Sequence, residues 1–355
     1  MPLCYYYYYM AALFFVNQVC SALIKGLSET FTTKIIFSFV TVFALIFVFK
    51  RRRNHDHYQN SQLLLKEYDK CAFPNCIRCK RRSEIMTRAR TLFRHNVNEV
   101  KLLTLDERKE ISSQLQEYSY NNRPSNTNRD RSMSKGTLQD PEIFYLPHIG
   151  AQPFWKVSRC FNANIHDTLL TEHVFQGLKS EYESVKIQFP EAIMNGNSEV
   201  NCGRWKVNNT PNGKWCFFHL IDQGCVTKNA PLCPKTMKFL FTVGGFMNNT
   251  VFGNAGFSVI YPGTHITEHF GPTNIRLRCH LGLQISEDCY LTVGKDQYTW
   301  NNRECLIFDD SFLHSATNYG KKERVILLFD IWHPDIPYSK RLLLQDIFPA
   351  VPLKS

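Results

Sequence analysis

The chain has 355 residues, of which 44% are hydrophobic and 14% aromatic, so it can bury the core of one large domain or two ordinary ones. Its net charge of +11 would suit nucleic acid if it were spread over one surface. Residues 51–95, however, hold twelve Lys or Arg against four Asp or Glu, directly after an apolar run. This placement argues against a nucleic-acid partner and indicates a basic collar beside a membrane segment.

The apolar run predicts a membrane anchor at residues 34–50, after an N-terminal segment at residues 1–33. Residues 35–49 carry no charge and only two hydroxyl side chains, and a few flanking residues bring the run close to the length that crosses a bilayer. A cleaved signal peptide fits poorly because the charge follows the apolar stretch. Residues 3–24 are also uncharged and could lie in the interface or form a second span.

The signals for the orientation of this anchor oppose each other. Arg51, Arg52 and Arg53 on its C-terminal side would hold the large domain in the cytoplasm. Two N-glycosylation sequons, at Asn208 and Asn248, favour a lumenal domain. Thirteen cysteines also suit an oxidising compartment, although an odd number leaves at least one free thiol or an intermolecular link.

The next segment, residues 51–120, is predicted to be a basic, cysteine-containing helical stalk. "SQLLLKEYDK" and "LTLDERKEISSQLQEYSY" place apolar residues three and four positions apart. Between them, Cys71, Cys76 and Cys79 could form a local disulfide, bind zinc with a further ligand or remain plain thiols. Residues 121–140 are polar with few large hydrophobic residues, which predicts a linker.

From residue 141 to residue 350 the pattern predicts a mainly β domain. Short aromatic or β-branched runs recur about every 10 to 15 residues and are separated by Gly, Pro, Asn and Asp. Among them are "KFLFTV", "AGFSVIYPGTHI", "IRLRCHLGLQI", "CLIFDD" and "RVILLFDIW". Such spacing is typical of an antiparallel barrel or sandwich of the jelly-roll kind, here with a flanking helix in "HDTLLTEHVFQGLKSEYESVKIQF".

The stretch "HITEHFGPTNIRLRCH", residues 265–280, contains the His-x-x-Glu-His spacing of some zinc peptidases. That chemistry needs both histidines on one helical face. Pro262 and Gly263 precede the motif, Gly271 and Pro272 follow it, and β-branched residues lie inside it. These residues disfavour a helix, so the sequence disfavours a peptidase.

A metal site built on strands fits the same stretch better. In non-haem iron oxygenases the protein supplies only part of the ligand set, which leaves positions open for a co-substrate and O2. His269 follows a strand-like run, and His314 lies 45 residues later in "IFDDSFLHS". Arg324 begins the next strand-like run, where its guanidinium could bind a carboxylate. The usual third ligand, a carboxylate two residues after the first histidine, is missing because that position is Gly271.

Three motifs, "SVIYPGTHITEHFGPTNIRLRCHLGL", "FDDSFLH" and "RVILLFDIWHP", resemble the aspartyl/asparaginyl β-hydroxylase family. The resemblance covers roughly residues 140–345 and also includes "VFGNAGFSV" and "NNTPNGKW". It implies a double-stranded β-helix, which is a jelly-roll, cupin-like oxygenase domain with flanking helices, behind the N-terminal anchor. It also implies that two histidines bind Fe(II) without a carboxylate, which accounts for Gly271.

The resemblance implies a role for each matching residue. His269 and His314 match the iron ligands. Ser258 and Arg324 match the residues that bind the distal carboxylate of 2-oxoglutarate.

Four further residues are implied at the same site. Arg278 and His280 match positions near the other carboxylate of 2-oxoglutarate, and Arg278 is also placed to meet the acid of the substrate. Arg276 could recognise the substrate carboxylate together with Arg278. Asp310 matches an acid that hydrogen-bonds a water on the iron and so partly replaces the missing ligand.

The implied activity is hydroxylation of the β-carbon of Asp or Asn in protein substrates, which in this family are EGF-like domains. Fe(II) would be the cofactor, and 2-oxoglutarate and O2 the co-substrates. The longer family members are type II membrane proteins of the endoplasmic reticulum lumen, with a disulfide that matches Cys225 and Cys233. We therefore expect a single-pass type II protein with a lumenal catalytic domain. The alternative is a membrane-anchored binding module that retains the fold without catalysis.

Overall fold

The structure, a computed structural model, describes residues 75–78, 80–96, 104–117, 139–161, 170–189, 204–210 and 213–350. Several sequence predictions lie outside these ranges. They are the N-terminal segment, the anchor at residues 34–50, the first part of the stalk with its run "SQLLLKEYDK", Cys71, Cys79 and all of the predicted linker except Gln139 and Asp140.

The predicted localisation, a single-pass type II protein of the endoplasmic reticulum, is contradicted. No helix among the described residues is long and apolar enough to cross a bilayer. The longest described helix, Glu172–Gln188, has 17 residues and carries charged side chains along one face, as expected of a helix that packs on a globular core.

The centre of the fold is a pair of antiparallel sheets. The strands in chain order are β1 Phe154–Trp155, β2 Trp205–Thr210, β3 Gly213–Asp222, β4 Cys225–Val226, β5 Ala255–Ile260, β6 His265–His269, β7 Arg276–Gln284, β8 Cys289–Val293, β9 Asp296–Tyr298, β10 Cys305–Phe308, β11 His314–Asn318 and β12 Arg324–Trp332. The larger sheet has the order β1-β10-β7-β12-β5-β3-β2, with β4 paired to β3, and the smaller has the order β6-β11-β8-β9.

The helices flank these sheets. In chain order they are α1 Arg82–Asn96, α2 Leu105–Glu117, α3 Val157–Cys160, α4 Glu172–Gln188, α5 Pro234–Thr242 and α6 Tyr338–Ile347, with a 3₁₀ turn at Ala230–Leu232.

The two sheets share an apolar cluster that fills the space between them. The larger sheet contributes Phe217, Ile260 and Ile326, and the smaller contributes Leu291 and Val293. Because side chains alternate between the two faces of a strand, every second residue of the central strands points into this interior. Such a pair of facing antiparallel sheets is a jelly-roll architecture. The predicted mainly β, jelly-roll fold is therefore confirmed.

Helix α4 covers the outer face of the larger sheet. Its Phe175, Leu178 and Tyr182 recur every three or four residues and form one buried stripe. Thr171 caps the N-terminus, where its side-chain oxygen accepts the backbone N–H of Val174 at 3.4 Å. The helix that the sequence predicts here is present, and it supports the sheet from the side opposite the interior.

Helices α1 and α2 belong to the core of the domain and do not form a separate stalk. Met86, Ala89 and Ile111 are at most 2% exposed and share one apolar cluster with Leu344 and Phe348 at the C-terminal end. The helical character predicted for this region agrees with α1 and α2 in its described part. Its apolar faces, however, are buried against α6 and its neighbours, which a free stalk would leave in water.

The disulfide predicted between Cys225 and Cys233 is not formed, because both thiols are free. Cys225 lies in β4 and is partly exposed, whereas Cys233 precedes α5 and is fully buried in the apolar cluster behind the larger sheet. Burial raises the pKa of Cys233 to about 12, so its thiol acts as a neutral apolar group. The sequon residues Asn208, in β2, and Asn248, before β5, are partly exposed, and their glycosylation stays a prediction.

Candidate metal and co-substrate site

Two histidines of the smaller sheet lie side by side. His269 ends β6, His314 begins β11, and the two are direct partners in the antiparallel register. Their ring centres are 4.2 Å apart. His269 Nδ1 lies 2.7 Å from the carbonyl oxygen of Thr267, and His314 Nδ1 lies 2.9 Å from that of Phe312. Since a carbonyl only accepts, each Nδ1 carries the proton and each Nε2 keeps a lone pair for a metal.

Both imidazoles are neutral in this environment. Burial lowers the pKa of His314 to about 4, although the charge of Asp310 opposes the shift. Burial also lowers the pKa of His269 well below its ordinary value, and His314 lowers it further. Neutral imidazole is the form that binds transition metals, so the pair is suited to bind one near neutral pH.

Gly271 occupies the position where a carboxylate ligand is usual. Its backbone N–H donates to the carbonyl of Asp310 at 2.6 Å. A Cβ added at Gly271 would come within 2.5 Å of Asp310 Cγ, so the Asp310 carboxylate fills the space that a side chain would need. Among the described residues, no group of three or more His, Cys, Asp or Glu side chains could hold a metal ion. In the described part of the chain, the site therefore provides a metal with two histidines, His269 and His314, and no carboxylate ligand.

A buried ion-pair cluster lies beside the histidines. Arg276 contacts Asp310 at 2.5 Å through Nη2 and Asp330 at 3.0 Å through Nη1. Arg278 contacts Asp310 at 3.3 Å through Nη1 and Asp330 at 2.9 Å through Nε. Burial opposes ionisation of Asp310, but the two guanidiniums hold its pKa well below the ordinary value. The Asp310 carboxylate is therefore charged and fixed in place.

The two arginines of this cluster differ in access. Arg276 is 2% exposed, and its Nη1 also donates to the carbonyl of Phe252, so its donors are committed inside the protein. This corrects the prediction that Arg276 recognises a substrate carboxylate. Arg278 keeps 18% of its side chain exposed and is the arginine of the pair that a ligand can reach.

Arg324 lies in the interior without a carboxylate partner among the described residues. It is 2% exposed, and its Nε and Nη1 have no hydrogen-bond partner. Its guanidinium carbon lies 4.7 Å from the centre of the Trp300 ring, and burial lowers the pKa of Arg324 to about 9. A buried cation without an anionic partner is costly, so this position suits an anionic ligand.

Ser258 points into the interior beside Arg324. In the register of β5 and β12, Ser258 pairs with Ile326 and Ile260 pairs with Arg324, so all four side chains share one face. Ser258 Oγ accepts a hydrogen bond from Trp215 Nε1 at 3.0 Å. The hydroxyl proton of Ser258 is therefore available to a ligand, and the structure brings together the two residues predicted for the distal carboxylate.

His280 connects the arginine pocket to the histidine pair. The Phe308 ring lies 4.9 Å from the His280 ring and 5.7 Å from the His314 ring, measured between centres. Trp300 Nε1 donates to His280 Nδ1 at 3.1 Å, and His280 Nε2 is buried without a hydrogen-bond partner. Burial and two nearby arginines lower the pKa of His280 well below its ordinary value. The predicted residues thus line one continuous interior.

Two residues of this site were not singled out from the sequence. Asp330 lies in β12 on the same face as Arg324, and a charged residue at an inward position of a buried strand is a signal that could have identified it. Trp300 lies in a loop after β9, where no periodicity indicates the direction of a side chain. His265 and Glu268, the other members of the peptidase-like motif, lie apart from these contacts: His265 Nδ1 pairs with Thr317 Oγ1 at 2.8 Å, and Glu268 is exposed.

Comparison with known proteins gives a match to a family model and to several curated relatives. The model of the family "Aspartyl/Asparaginyl beta-hydroxylase" matches residues 173–334. Aspartate beta-hydroxylase domain-containing protein 2 of Xenopus tropicalis is 42% identical over 232 residues, which are 64% of this chain and 56% of that protein. Its Homo sapiens counterpart is 42% identical over 219 residues, 61% of this chain and 56% of that protein. Aspartyl/asparaginyl beta-hydroxylase of Mus musculus is 38% identical over 141 residues, 38% of this chain and 18% of that protein.

The matched region contains every residue of the site described above. The chain spans a little more than half the length of the domain-containing relatives that it matches. The motifs, the fold and the matches agree with one another, so the resemblance predicted from the sequence is confirmed. Residues 173–334 of this chain resemble the aspartyl/asparaginyl β-hydroxylase domain of these relatives in sequence.

Proposed function

We propose that this chain is an Fe(II)- and 2-oxoglutarate-dependent dioxygenase that hydroxylates the β-carbon of Asp or Asn residues in protein substrates. One observation carries the proposal. A pair of neutral histidines with free Nε2 atoms shares an interior with Arg324, a buried cation that has no carboxylate partner among the described residues. A metal together with an anionic co-substrate satisfies both features, and the family name supports a hydroxylase.

The residues fit a ferrous ion. His269 and His314 would hold it through Nε2, because each Nδ1 is already occupied by a backbone carbonyl. Neutral nitrogen ligands suit Fe(II), and a set of two leaves several coordination positions open. The chemistry that bound Fe(II) supplies in such sites is the activation of O2 coupled to the oxidation of a 2-oxo acid.

The residues also fit 2-oxoglutarate, which carries a carboxylate at each end. Arg324 and the Ser258 hydroxyl would bind the distal carboxylate, and the buried setting strengthens this charge-assisted contact. His280 Nε2, a donor without a partner, lies between this pocket and the metal ligands and would donate to the oxygens at the other end. Arg278 lies at the accessible edge and would meet an acidic group of the protein substrate.

The proposed reaction balances without a further reductant. 2-Oxoglutarate is oxidised and loses CO2 to give succinate, which takes one oxygen atom of O2, and the other oxygen atom enters the C–H bond of the substrate. The chain's own groups bind, orient and exclude water. Phe308 and the apolar side chains between the sheets close the interior around the two reacting partners. EGF-like domains are the proposed substrates, by analogy with the family.

The first experiment measures succinate formed from 2-oxoglutarate by the full chain. The protein is loaded with Fe(II) without air and then exposed to O2, with and without an EGF-like peptide that carries Asp or Asn. The variants are His269→Ala and His314→Ala, and the matched control is His265→Ala in the same strand. We expect the first two to lose iron binding and activity, and by more than the roughly 10–100-fold that loss of a ligand's hydrogen-bond partner costs, and the control to retain both.

Three readouts decide the outcome. Succinate above the level of His269→Ala supports an oxygenase, and a peptide that gains one oxygen atom supports the substrate class. A folded wild-type chain that binds no Fe(II) and forms no succinate contradicts the proposal and favours a binding module that retains the fold without catalysis. Equal loss of activity in His265→Ala would contradict the assignment of the ligands.

A further inference from the structure

Trp300 contacts two residues of the co-substrate pocket at once. Its Nε1 donates to His280 Nδ1 at 3.1 Å, and its ring faces the Arg324 guanidinium with 4.7 Å between the guanidinium carbon and the ring centre. Trp300 is 3% exposed and belongs to the apolar cluster between the sheets. Trp300 therefore contacts His280 through its N–H and Arg324 through its ring face.

The hydrogen bond from Trp300 determines the tautomer of His280. A neutral imidazole has one N–H and one lone pair. Because the indole N–H only donates, Nδ1 of His280 must offer the lone pair, and the imidazole proton must lie on Nε2. His280 Nε2 is buried and has no hydrogen-bond partner, so it is a donor that faces the interior. His269 and His314 have the opposite tautomer, with the proton on Nδ1.

The ring of Trp300 acts on Arg324. The Nε and Nη1 atoms of this guanidinium lack partners, and no carboxylate among the described residues pairs with it. A cation within about 6 Å of an indole ring is attracted to the ring face. Trp300 therefore stabilises the buried charge and limits the orientations of the guanidinium, while its unpartnered donors remain available.

We propose that Trp300 is a positioning residue of the co-substrate pocket: its N–H fixes His280 with a proton on Nε2, and its ring orients the Arg324 guanidinium. Both groups then present donors to the same dicarboxylate ligand. This inference rests on the proposed function for the identity of that ligand, 2-oxoglutarate. The tautomer of His280 does not depend on the proposed function, because it follows from the contacts of this chain alone.

The tautomer is measured by NMR on protein with isotope-labelled histidine ring nitrogens, without added metal or ligand. In the wild type we expect a proton on Nε2 of His280 and on Nδ1 of His269 and His314. Trp300→Phe keeps a ring but removes the donor, so His280 should lose its preference while the other two histidines keep theirs. A wild-type His280 protonated on Nδ1, or an unchanged tautomer in Trp300→Phe, would overturn the inference.

Affinity for 2-oxoglutarate is measured on the Fe(II)-loaded chain without O2, and KM and kcat with O2. Loss of one oriented hydrogen bond is worth about 1 kcal/mol, so Trp300→Phe should weaken binding about fivefold and raise KM more than it lowers kcat. Trp300→Leu also removes the ring face and should weaken binding about 30-fold or more. The two variants thereby separate the donor from the ring.

The matched control is Trp205→Phe. Trp205 is 2% exposed like Trp300, but it lies behind the larger sheet and its Nε1 has no hydrogen-bond partner. The Trp205→Phe substitution should cost similar packing energy and leave the affinity for 2-oxoglutarate and the His280 tautomer unchanged. An equal loss of affinity in Trp205→Phe and Trp300→Phe would make Trp300 a packing residue only. If the folded wild type binds no 2-oxoglutarate, the proposed function fails, while the NMR result still decides whether Trp300 sets His280.

Discussion

At the scale of single residues, Gly271 explains why the candidate metal site has no carboxylate at the position after His269 where one is usual. The Asp310 carboxylate lies 2.5 Å from where a Cβ of residue 271 would be, and Arg276 and Arg278 hold it there. The absence of a side chain at position 271 and the buried ion-pair cluster are therefore one arrangement. An acid at position 271 could enter only if this cluster moved.

We predict that neither Gly271→Ala nor Gly271→Asp is tolerated. Each should lower the free energy of unfolding by about 1–3 kcal/mol because of overpacking, and Gly271→Asp should weaken Fe(II) binding instead of adding a ligand. Urea unfolding and metal titration check both effects. Gly244→Ala is the control, since an added Cβ there meets nothing within 4 Å. Tighter Fe(II) binding by Gly271→Asp would show that Asp310 moves aside.

Burial of His219 makes the stability of the fold sensitive to acid. His219 in β3 lies 4.1 Å from the Phe217 ring between centres, and burial lowers its pKa to about 3, with Asp222 opposing the shift. In the unfolded chain an imidazole has a pKa of about 6.5, so below that pH protons bind the unfolded chain preferentially. The stability contributed by neutral His219 is complete above about pH 6.5 and declines as the pH falls, by at most about 1.4 kcal/mol per pH unit.

The measurement is the free energy of unfolding of the wild type and of His219→Gln between pH 6.5 and pH 4. The decline should be shallower in the variant, because glutamine does not titrate. Parallel curves for the two proteins would mean that His219 takes up its proton without unfolding.

The candidate metal ligands and the candidate pocket arginine could be proposed from the sequence, but their partners could not. His269, His314 and Arg324 stand at the ends of strand-like runs, and their chemistry is specific enough to single them out. The contact of Trp300 with His280 joins a loop to the interior of a strand, so it depends on tertiary packing that no local pattern records. Arg276 was misjudged for a related reason, since a sequence does not show which arginine is neutralised internally.

At the scale of elements, the strands were predictable and the packing of the first helices was not. Alternation and turn residues identify most strands of both sheets directly. The strand-like run "KFLFTV" is an exception, because it forms the second half of helix α5. The apolar stripes of α1 and α2 predict helices equally well, but a stripe does not identify its partner. In the structure that partner is the C-terminal helix α6 together with the segment before β1, which is distant in sequence.

We predict that α1 and α2 are required for a stable domain. A chain that begins at residue 135 lacks them and should aggregate or unfold at a markedly lower temperature, whereas a chain that begins at residue 65 retains every described residue and should fold. Circular dichroism during heating checks both. Ile111→Ala, at a fully buried position, should cost about 2–4 kcal/mol, and Leu105→Ala in the same helix, which is 67% exposed, should cost less than about 0.5 kcal/mol. A stable fragment from residue 135 would contradict this role.

At the scale of the whole molecule, the fold is held by apolar clusters on both faces of the larger sheet, and no link between Cys225 and Cys233 contributes. We predict that Cys225→Ser changes the free energy of unfolding by less than about 0.5 kcal/mol. Loss of a native disulfide would cost about 2–4 kcal/mol. Urea unfolding under non-reducing conditions distinguishes these two outcomes. Leu277→Ala is the comparison, because Leu277 is fully buried in β7 and its truncation should clearly destabilise the fold. A loss of several kcal/mol in Cys225→Ser would show that the bond forms in solution.

The direct pairing of His269 with His314 also has a consequence for the order of folding. Forty-five residues separate the two histidines, so they meet only when a long segment of chain has closed, which is a slow, non-local step. The register between β6 and β11 shifts after His314, and a slip of one residue would turn that ring to the opposite face. If the two histidines bind Fe(II) as proposed, metal affinity is acquired in one step with the closure of the smaller sheet, and the rate at which a refolding chain takes up Fe(II) would measure that closure.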